Sequence, residues 1–346
     1  MQKMLTKKLL AATVMSMTGL IATSTVAQAK TVLTYSSWLP WTHPVNVELY
    51  IPWMEAIEKD SNGSIEFKRL PKPVASPPAH LNAVRTGQAD VAFSVHGYSP
   101  KLFAAYLFAE LPMLGDTGTA TSIALQRTHD KFLSGKKFYK GVHVIGMNTH
   151  GPGLIHHSKK HILKPEDMAG QKMRTGGPIP LKIVEAWGGV SIRQPAPKSY
   201  EILSTGVADG ITFPFESLNS FKIMNLVPYS TYIPGGLYSS SHYLVMNAKK
   251  YQKLSAEDKA IMDKHSGEAF AERAGKAWDK INDEGRVAAE AAGNKIVTAP
   301  DALVAEVKKL NTQFEADYVE GAKTAGVDGA EILKFFRGEV AKLSGK

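Results

Sequence analysis

One arginine and a set of aromatic and histidine side chains are placed where they could hold an organic acid. They lie at or just after segments of β-forming residues, and ligands of open α/β sheets bind beyond the carboxyl ends of the strands. Arg174 can hold a carboxylate through two parallel hydrogen bonds, and Gly176 and Gly177 after it allow close approach. The other candidates, which would supply rings and hydrogen-bonding groups, are Trp38, Trp41, His43, His96, Tyr98, His150, Phe213 and Phe215.

Each candidate also has an ordinary structural interpretation, and the sequence leaves both open. Arg174 could be a surface side chain paired with Glu166 or Asp167. Rings near strand ends are often packed in a core or between domains, and histidines there are often satisfied structural groups. Taken together, the candidates predict an aromatic-walled pocket that contains one guanidinium.

The sequence lacks the motifs of several other kinds of site. It has no Gly-x-Ser-x-Gly elbow, no Walker loop and no Gly-x-Gly-x-x-Gly segment after a strand, so we predict a protein that is not an enzyme and uses no cofactor. His157 and His161 are four residues apart, but Lys159 and Lys160 lie between them and the chain has no cysteine. We therefore predict no metal site and expect residues 156–161 to be a solvated surface.

The N-terminal segment has the composition of a secretory signal peptide. Lys3, Lys7 and Lys8 precede an apolar run at residues 9–22, and Ala27-Gln28-Ala29 forms a small-residue cleavage site. We predict cleavage after Ala29 and export to the periplasm, where a chain without cysteine is held by burial alone. An uncleaved membrane anchor is the alternative interpretation.

The formal net charge of +9 includes the three lysines of that segment. The remaining lysines are spread along the chain and mixed with Asp and Glu, so no basic stripe for nucleic acid is present in the sequence. We predict no nucleic-acid partner and a monomer. The mature chain is long enough for two domains.

Alternating strand and helix patterns predict an α/β fold of two lobes. The predicted strands are 31–37, 64–70, 89–95, 142–146, 171–175, 190–193, 211–213 and 243–247. The predicted helices are 44–60, 78–86, 180–187, 198–205, one long helix from 255 to about 292, 301–322 and 329–343. Short connections between strand and helix favour parallel sheets.

A short repeat supports the division into lobes. Residues 86–90, Thr-Gly-Gln-Ala-Asp, recur as Thr-Gly-Val-Ala-Asp at residues 205–209, each between an amphipathic run and a β-forming run. We predict that lobe I comprises residues 30–150 plus about 241–279, and that lobe II comprises residues 151–240 plus about 280–346. The chain would cross between the lobes in strands and along the long helix, so their relative motion would be a hinge bend over a ligand cleft.

Two segments resemble a known family. Residues 163–174 read Leu-Lys-Pro-Glu-Asp-Met-Ala-Gly-Gln-Lys-Met-Arg, and residues 200–210 read Tyr-Glu-Ile-Leu-Ser-Thr-Gly-Val-Ala-Asp-Gly. They are similar to segments of the solute-binding proteins of tripartite ATP-independent periplasmic (TRAP) transporters, of the dicarboxylate-binding type. The resemblance covers essentially the whole mature chain. It implies two α/β lobes, a closing cleft, Arg174 as the residue that grips the solute carboxylate, and delivery to a membrane permease with a small and a large subunit.

Two departures from the family pattern bear on the solute. Many relatives carry a second arginine where this chain has Gly-Pro-Gly-Leu-Ile at residues 151–155. They also carry Glu-Asn where Thr212 and Phe213 precede Pro214 here. One cationic group is lost and an amide is replaced by a ring, so we predict a carboxylate with an apolar, aromatic body rather than a small dicarboxylate or a sugar acid.

Three alternative functions remain open at this stage. The same fold could serve a periplasmic sensor read by a histidine kinase. A periplasmic hydrolase would use His and Asp groups in the cleft, although no nucleophile motif is present in the sequence. A basic nucleic-acid binder is disfavoured by the signal peptide.

Overall fold

The computed structural model describes residues 30–345 and contains two β-sheets with helices around them. The signal-peptide prediction and its cleavage site lie outside the described residues. The strands are β1 (Thr31–Ser36), β2 (Ile65–Arg69), β3 (Val91–Val95), β4 (Val142–Thr149), β5 (Leu154–His157), β6 (Lys172–Thr175), β7 (Val190–Arg193), β8 (Gly210–Phe213), β9 (Tyr229–Tyr232), β10 (Ser241–Asn247) and β11 (Lys295–Thr298).

Most of the predicted helices are present, with additional ones between them. The helices are α1 (Ile51–Asp60), α2 (His80–Arg85), α3 (Gly118–Thr128), α4 (Pro178–Ala186), α5 (Ser199–Ser204), α6 (Glu216–Ser220), α7 (Ala248–Gln252), α8 (Ala256–Lys264), α9 (Gly267–Ala291), α10 (Asp301–Thr324) and α11 (Gly329–Leu343). A π-helical turn, Asn46–Tyr50, leads into α1.

The α/β fold class is confirmed, but both sheets are mixed rather than parallel. The first sheet has the strand order β2-β1-β3-β10-β4, and β10 runs antiparallel to both of its neighbours. The second sheet has the order β11-β9-β5-β8-β6-β7, and β5 runs antiparallel to β8 and β9. The strand-helix-strand pattern predicted parallel sheets. It missed the antiparallel strands because a local pattern does not show that the chain leaves one sheet and re-enters it later.

The chain crosses between the sheets at two short connections. Strand β4 leads through residues 150–153 to β5, and β9 leads through residues 233–240 back to β10. Every residue of β10 is buried. The crossings join strand ends, so residues near them face the gap between the two sheets.

Helix α9 is in contact with elements of both sheets. A Cβ atom added to Gly275 would lie 2.4 Å from the Cα of Thr119 in α3, and one added to Gly285 would lie 2.6 Å from the Cα of Glu216 in α6. The helix can approach both partners this closely because these two positions carry no side chain. Strand β4 is covered by α3 and α9, while α6 follows β8.

The single long helix expected from residue 255 to about 292 is wrong, because the chain forms two helices there. Gly267, the first residue of α9, has a φ of +59°, which lies outside the right-handed helical region and prevents α8 from continuing into α9. Helix α8 is capped at its start by Ser255, whose hydroxyl accepts a hydrogen bond from the Asp258 amide at 3.0 Å.

Two clusters of buried apolar side chains hold the two sheets together. One cluster contains Tyr50 from the first sheet's side and Ile211 from the second. The other contains Met147 and Met173, again one from each sheet. Burial of apolar surface contributes about 25 cal/mol per Å². Since neither cluster is confined to one sheet, the two halves are packed against each other and the gap left between them is narrow.

The C-terminal helices contact both halves. Helix α11 packs on α3, while Lys182 of α4 forms an ion pair with Asp317 of α10 at 2.7 Å. Strand β11 belongs to the second sheet. The predicted lobe boundaries stay a prediction.

Candidate ligand-binding site

A cavity lies between the two sheets, at the strand ends and beside α9. Six of the predicted residues line this cavity: Trp38, His43, Tyr98, His150, Arg174 and Phe213. The segments that carry them are far apart in the sequence, and the cavity exists because the carboxyl ends of β1, β3, β4, β6 and β8 all open toward the gap.

Arg174 lies at the centre of this arrangement and is only 1% exposed. Its Nε and Nη2 donate hydrogen bonds to the Gln194 carbonyl at 2.9 and 2.7 Å. Its Cζ lies 4.3 Å from the centre of the Phe213 ring. The alternative of a surface arginine paired with Glu166 or Asp167 is therefore wrong.

The charge of Arg174 is buried without a carboxylate beside it in the described part of the chain. The groups that interact with it there are the hydroxyls of Tyr98 and Tyr238. Burial lowers the pKa of the guanidinium from its ordinary value, and the two tyrosines oppose that shift. A guanidinium has five N–H donors, and the two bonds to Gln194 together with the bond to the Tyr98 hydroxyl leave two of them for another acceptor. The arrangement is suited to an anion.

Rings form the walls of the cavity. Phe213 is stacked on Phe221, with ring centres 5.4 Å apart and planes at 9°. On the opposite lobe, Trp38 packs on Phe93 at 4.9 Å and its Nε1 donates to the Phe93 carbonyl at 3.1 Å. Tyr98 contacts Trp38 edge-on at 6.2 Å. These contacts hold the rings in place, so the walls are apolar and rigid.

Two hydrogen bonds and one close approach lie between the lobes near the cavity. The Tyr98 hydroxyl accepts from the Ala196 amide at 3.0 Å, and Arg193 Nη2 donates to the Gly97 carbonyl at 2.9 Å. A Cβ atom on Gly177, which precedes α4, would lie 3.3 Å from a carboxyl oxygen of Glu110. Burial raises the pKa of Glu110 to about 7, against hydrogen bonds from Ser241 and Gly97.

The histidines of the cavity are neutral at physiological pH. Burial lowers the pKa of His43 and of His150 to about 4. Burial, with the nearby His150, lowers the pKa of His242 to about 3. Arg174 is therefore the cation that these residues surround, and the histidines contribute hydrogen-bonding atoms rather than charge.

Three predicted residues do not line the cavity. Trp41 donates from Nε1 to the Leu70 carbonyl at 2.7 Å, at the edge of the first sheet. His96 is fully buried, stacked on Tyr106 at 4.4 Å. Phe215 is packed in the interior, where its amide donates to Asn282 at 2.9 Å. Each follows a strand end in the sequence, but its side chain turns toward a core.

The expectation that residues 156–161 form a solvated surface is wrong for the first two. His156 and His157 are buried in β5. The ring of His156 bonds the Ser230 hydroxyl at 2.8 Å and the Phe213 carbonyl at 3.1 Å, and His157 bonds the Gln171 side chain at 2.9 Å. His156 thus supports the strand that carries the stacked ring. In residues 30–345, no group of three or more His, Asp or Glu side chains is arranged to hold a metal ion.

Sequence reasoning missed several residues that line the cavity: Phe221, Tyr238, His242, Trp278 and the buried carboxyl of Glu216. His242 was missed because β10 is antiparallel to its neighbours, so the beginning of this strand, and not its end, faces the cavity. Trp278 lies on α9, a helix that carries many charged residues and does not follow a strand end. A tryptophan on the apolar stripe of an amphipathic helix is the signal that could have found it.

None of the helices in the described part of the chain is both long and apolar enough to span a bilayer. A buried guanidinium among rings, enclosed by two α/β lobes that the chain crosses at strand ends, defines a two-lobed solute-binding protein. The chain belongs to the bacterial extracellular solute-binding proteins, family 7, whose model matches residues 36–320. The resemblance to TRAP solute-binding proteins is thereby confirmed, and the sensor, hydrolase and nucleic-acid alternatives are not favoured.

Relatives and solved structures extend over nearly the whole chain. The outer membrane transporter protein TsaT of Comamonas testosteroni is 30% identical, over 91% of this chain and 93% of its own. A TRAP periplasmic solute-binding protein of Bordetella bronchiseptica, solved with bound (R)- and (S)-mandelate, is 41% identical with a TM-score of 0.87, over 90% of this chain and 99% of its own. A TRAP solute-binding protein of Rhodoferax ferrireducens, solved with copurified benzoate, is 27% identical with a TM-score of 0.86, over 91% of this chain and 99% of its own.

Proposed function

We propose that this protein captures an aromatic monocarboxylate in the cavity between its lobes and delivers it to a TRAP permease. The observation that carries the proposal is Arg174, a buried cation with two free donors that borders the stacked ring of Phe213 and lines the cavity together with Trp38. No bond is made or broken. The solved relatives with mandelate and benzoate support the same class of solute.

The charge balance of the cavity favours a monoanion. Arg174 matches one carboxylate, and the neutral histidines His43, His150 and His242 offer no second positive charge. A dicarboxylate would leave one charge buried without a counterion, which costs several kcal/mol. The apolar walls instead suit a ring, whose faces pack on other rings at about 0.5–1.5 kcal/mol beyond the area buried.

Binding would strengthen as the lobes close. Exclusion of water lowers the effective dielectric around the ion pair, which increases its Coulomb energy. The bonds of Tyr98 to Ala196 and of Arg193 to Gly97 join the lobes beside the cavity and stabilise the closed arrangement. We place the working site of the protein in the periplasm, with a leader removed after Ala29, a permease of small and large subunits as partner, and a monomer as the active form.

The test is a calorimetric titration of the exported protein with benzoate, mandelate, succinate and galacturonate at pH 7.5. We expect the aromatic acids to bind at least 100-fold more tightly than the other two. Cyclohexanecarboxylate, an apolar acid without a π-face, separates ring stacking from general hydrophobicity. Stabilisation by succinate or galacturonate alone in a parallel melting experiment contradicts the proposal, since a ligand at 100 times its Kd stabilises the fold by about 2.7 kcal/mol.

A further inference from the structure

The cavity has a second polar feature besides the guanidinium. Within residues 30–345, three buried ring nitrogens that belong to cavity-lining side chains have no hydrogen-bond partner: His43 Nε2, His242 Nδ1 and Trp278 Nε1. Each of these side chains is 5% exposed. A buried polar atom without a partner costs about 1–3 kcal/mol, so such atoms are rare unless a ligand or an ordered water completes them.

The rings that carry these atoms are grouped. His242 and Trp278 are stacked, with ring centres 5.3 Å apart and planes at 22°. The ring centre of His150 lies 6.0 Å from that of His242 and 6.1 Å from that of Trp278. All three also line the cavity with Arg174. We call His150, His242 and Trp278 the polar wall.

The hydrogen-bonding role of each nitrogen follows from its partners. His150 Nδ1 bonds the Gly151 carbonyl, which only accepts, so in the neutral ring Nδ1 carries the proton and Nε2 is an acceptor. A bond to the Asn148 backbone raises the pKa of His242, which identifies the carbonyl as its acceptor; the unpartnered Nδ1 is therefore also an acceptor. Trp278 Nε1 is a donor in any state.

The polar wall thus presents acceptors and a donor side by side. A carboxylate at neutral pH only accepts and would meet the lone pairs of two histidines. A carbonyl would satisfy the tryptophan N–H but not the histidines. A hydroxyl both donates and accepts, so it matches an imidazole acceptor and an indole donor together. An unsubstituted ring would leave these atoms unpaired.

We propose that the polar wall recognises a hydroxyl group of the solute, so that the ligand is a hydroxylated aromatic monocarboxylate and His242 and Trp278 determine this specificity. The inference rests on the proposed function, because it assumes that an aromatic acid is anchored at Arg174. It adds the substituent that distinguishes the preferred acid from its unsubstituted analogue.

Two pairs of acids that differ by one hydroxyl test the inference: phenylacetate with mandelate, and benzoate with 3-hydroxybenzoate. Calorimetry on the exported protein should show that the hydroxylated acid binds about tenfold more tightly in at least one pair, as expected for one or two hydrogen bonds. In Trp278→Phe, which keeps a ring and removes the N–H, and in His242→Phe, the ratio of the affinities for the hydroxylated and the unsubstituted acid should fall to about one to three.

The chain offers a matched control. Trp187 is also 5% exposed and its Nε1 is also without a partner in residues 30–345, but it does not line the cavity. Trp187→Phe should leave the hydroxyl preference unchanged.

Equal affinity within both pairs, or a preference that survives both polar-wall substitutions, overturns the hydroxyl assignment while binding of benzoate still supports the proposed function. A substitution that weakens both members of a pair equally also overturns it, because that pattern is a structural effect. If none of the four acids binds, the proposed function fails together with the inference.

Discussion

Replacing Arg174 by methionine should weaken binding roughly 10²–10³-fold and leave the stability of the protein nearly unchanged. The guanidinium is 1% exposed, and its neighbours in residues 30–345 are a carbonyl, tyrosine hydroxyls and a ring rather than a carboxylate. The ligand-free protein therefore holds a buried charge whose desolvation is only partly offset. Methionine fills similar space and carries no charge.

The magnitude follows from these contacts. A carboxylate about 4 Å from the guanidinium gains about 4 kcal/mol at an effective dielectric constant of about 20, so its loss should weaken binding roughly 10²–10³-fold. For folding, removal of the buried charge is neutral or stabilising by about 1–4 kcal/mol, and the Gln194 carbonyl left without its donors costs about 1–3 kcal/mol. These opposing contributions nearly cancel, so the free energy of unfolding should change by no more than about 1–2 kcal/mol.

Two measurements on the same protein preparation check this expectation: calorimetric titration with benzoate, and denaturant unfolding without ligand. Arg174→Lys is the control that keeps the charge but loses the planar fork, and it should bind more weakly than the original protein and more tightly than Arg174→Met. Retention of wild-type affinity by Arg174→Met would falsify the anchoring role. A loss of several kcal/mol of stability without ligand would show that the arginine is chiefly structural.

Three further substitutions test other parts of the structure. Phe213→Leu keeps an apolar side chain but removes the ring 4.3 Å from the guanidinium, so benzoate should bind about 5- to 30-fold more weakly by calorimetry; unchanged affinity means that this ring does not contact the solute. Burial raises the pKa of Glu110 from 4.5 to about 7, so its contribution to stability is complete below about pH 4.5 and is lost as the pH rises to 7. A pKa raised from 4.5 to about 7 corresponds to about 3 kcal/mol, so the difference in unfolding free energy between the original protein and Glu110→Gln should change by about that much between pH 4.5 and 7.5; a flat difference contradicts the burial argument. In Gly153→Ala the new Cβ would lie 2.1 Å from the Tyr238 ring, which should destabilise the fold by about 1–3 kcal/mol in chemical denaturation, whereas Gly151→Ala, whose Cβ would have 3.7 Å to its nearest neighbour, should be nearly neutral.

The cavity shows where strand-end reasoning succeeds and where it fails. Arg174 and Phe213 lie at the ends of parallel strands, and the sequence predicted both for the pocket because such ends meet at one edge of a sheet. His96 satisfies the same rule, but its ring turns into a buried aromatic cluster. The direction in which a residue after a strand points depends on the local turn, which the rule does not contain.

The missed residues have a different cause. His242 faces the cavity from the start of an antiparallel strand, and Trp278 reaches it from a helix that also carries many charged residues. Both positions depend on how β10 and α9 return to the site after a long path through the rest of the chain. Contacts between residues so far apart in sequence are set by the packing of whole elements.

The sequence by itself determined the α/β class, most strands and helices, the family and the arginine, because hydrophobic period, capping residues and two motifs are local properties of the chain. Only the tertiary structure decided that the guanidinium is buried without a carboxylate, that the histidines are neutral, and that His242 and Trp278 complete the cavity. Burial and its effect on charge depend on every element packed around a group, and no local pattern records them.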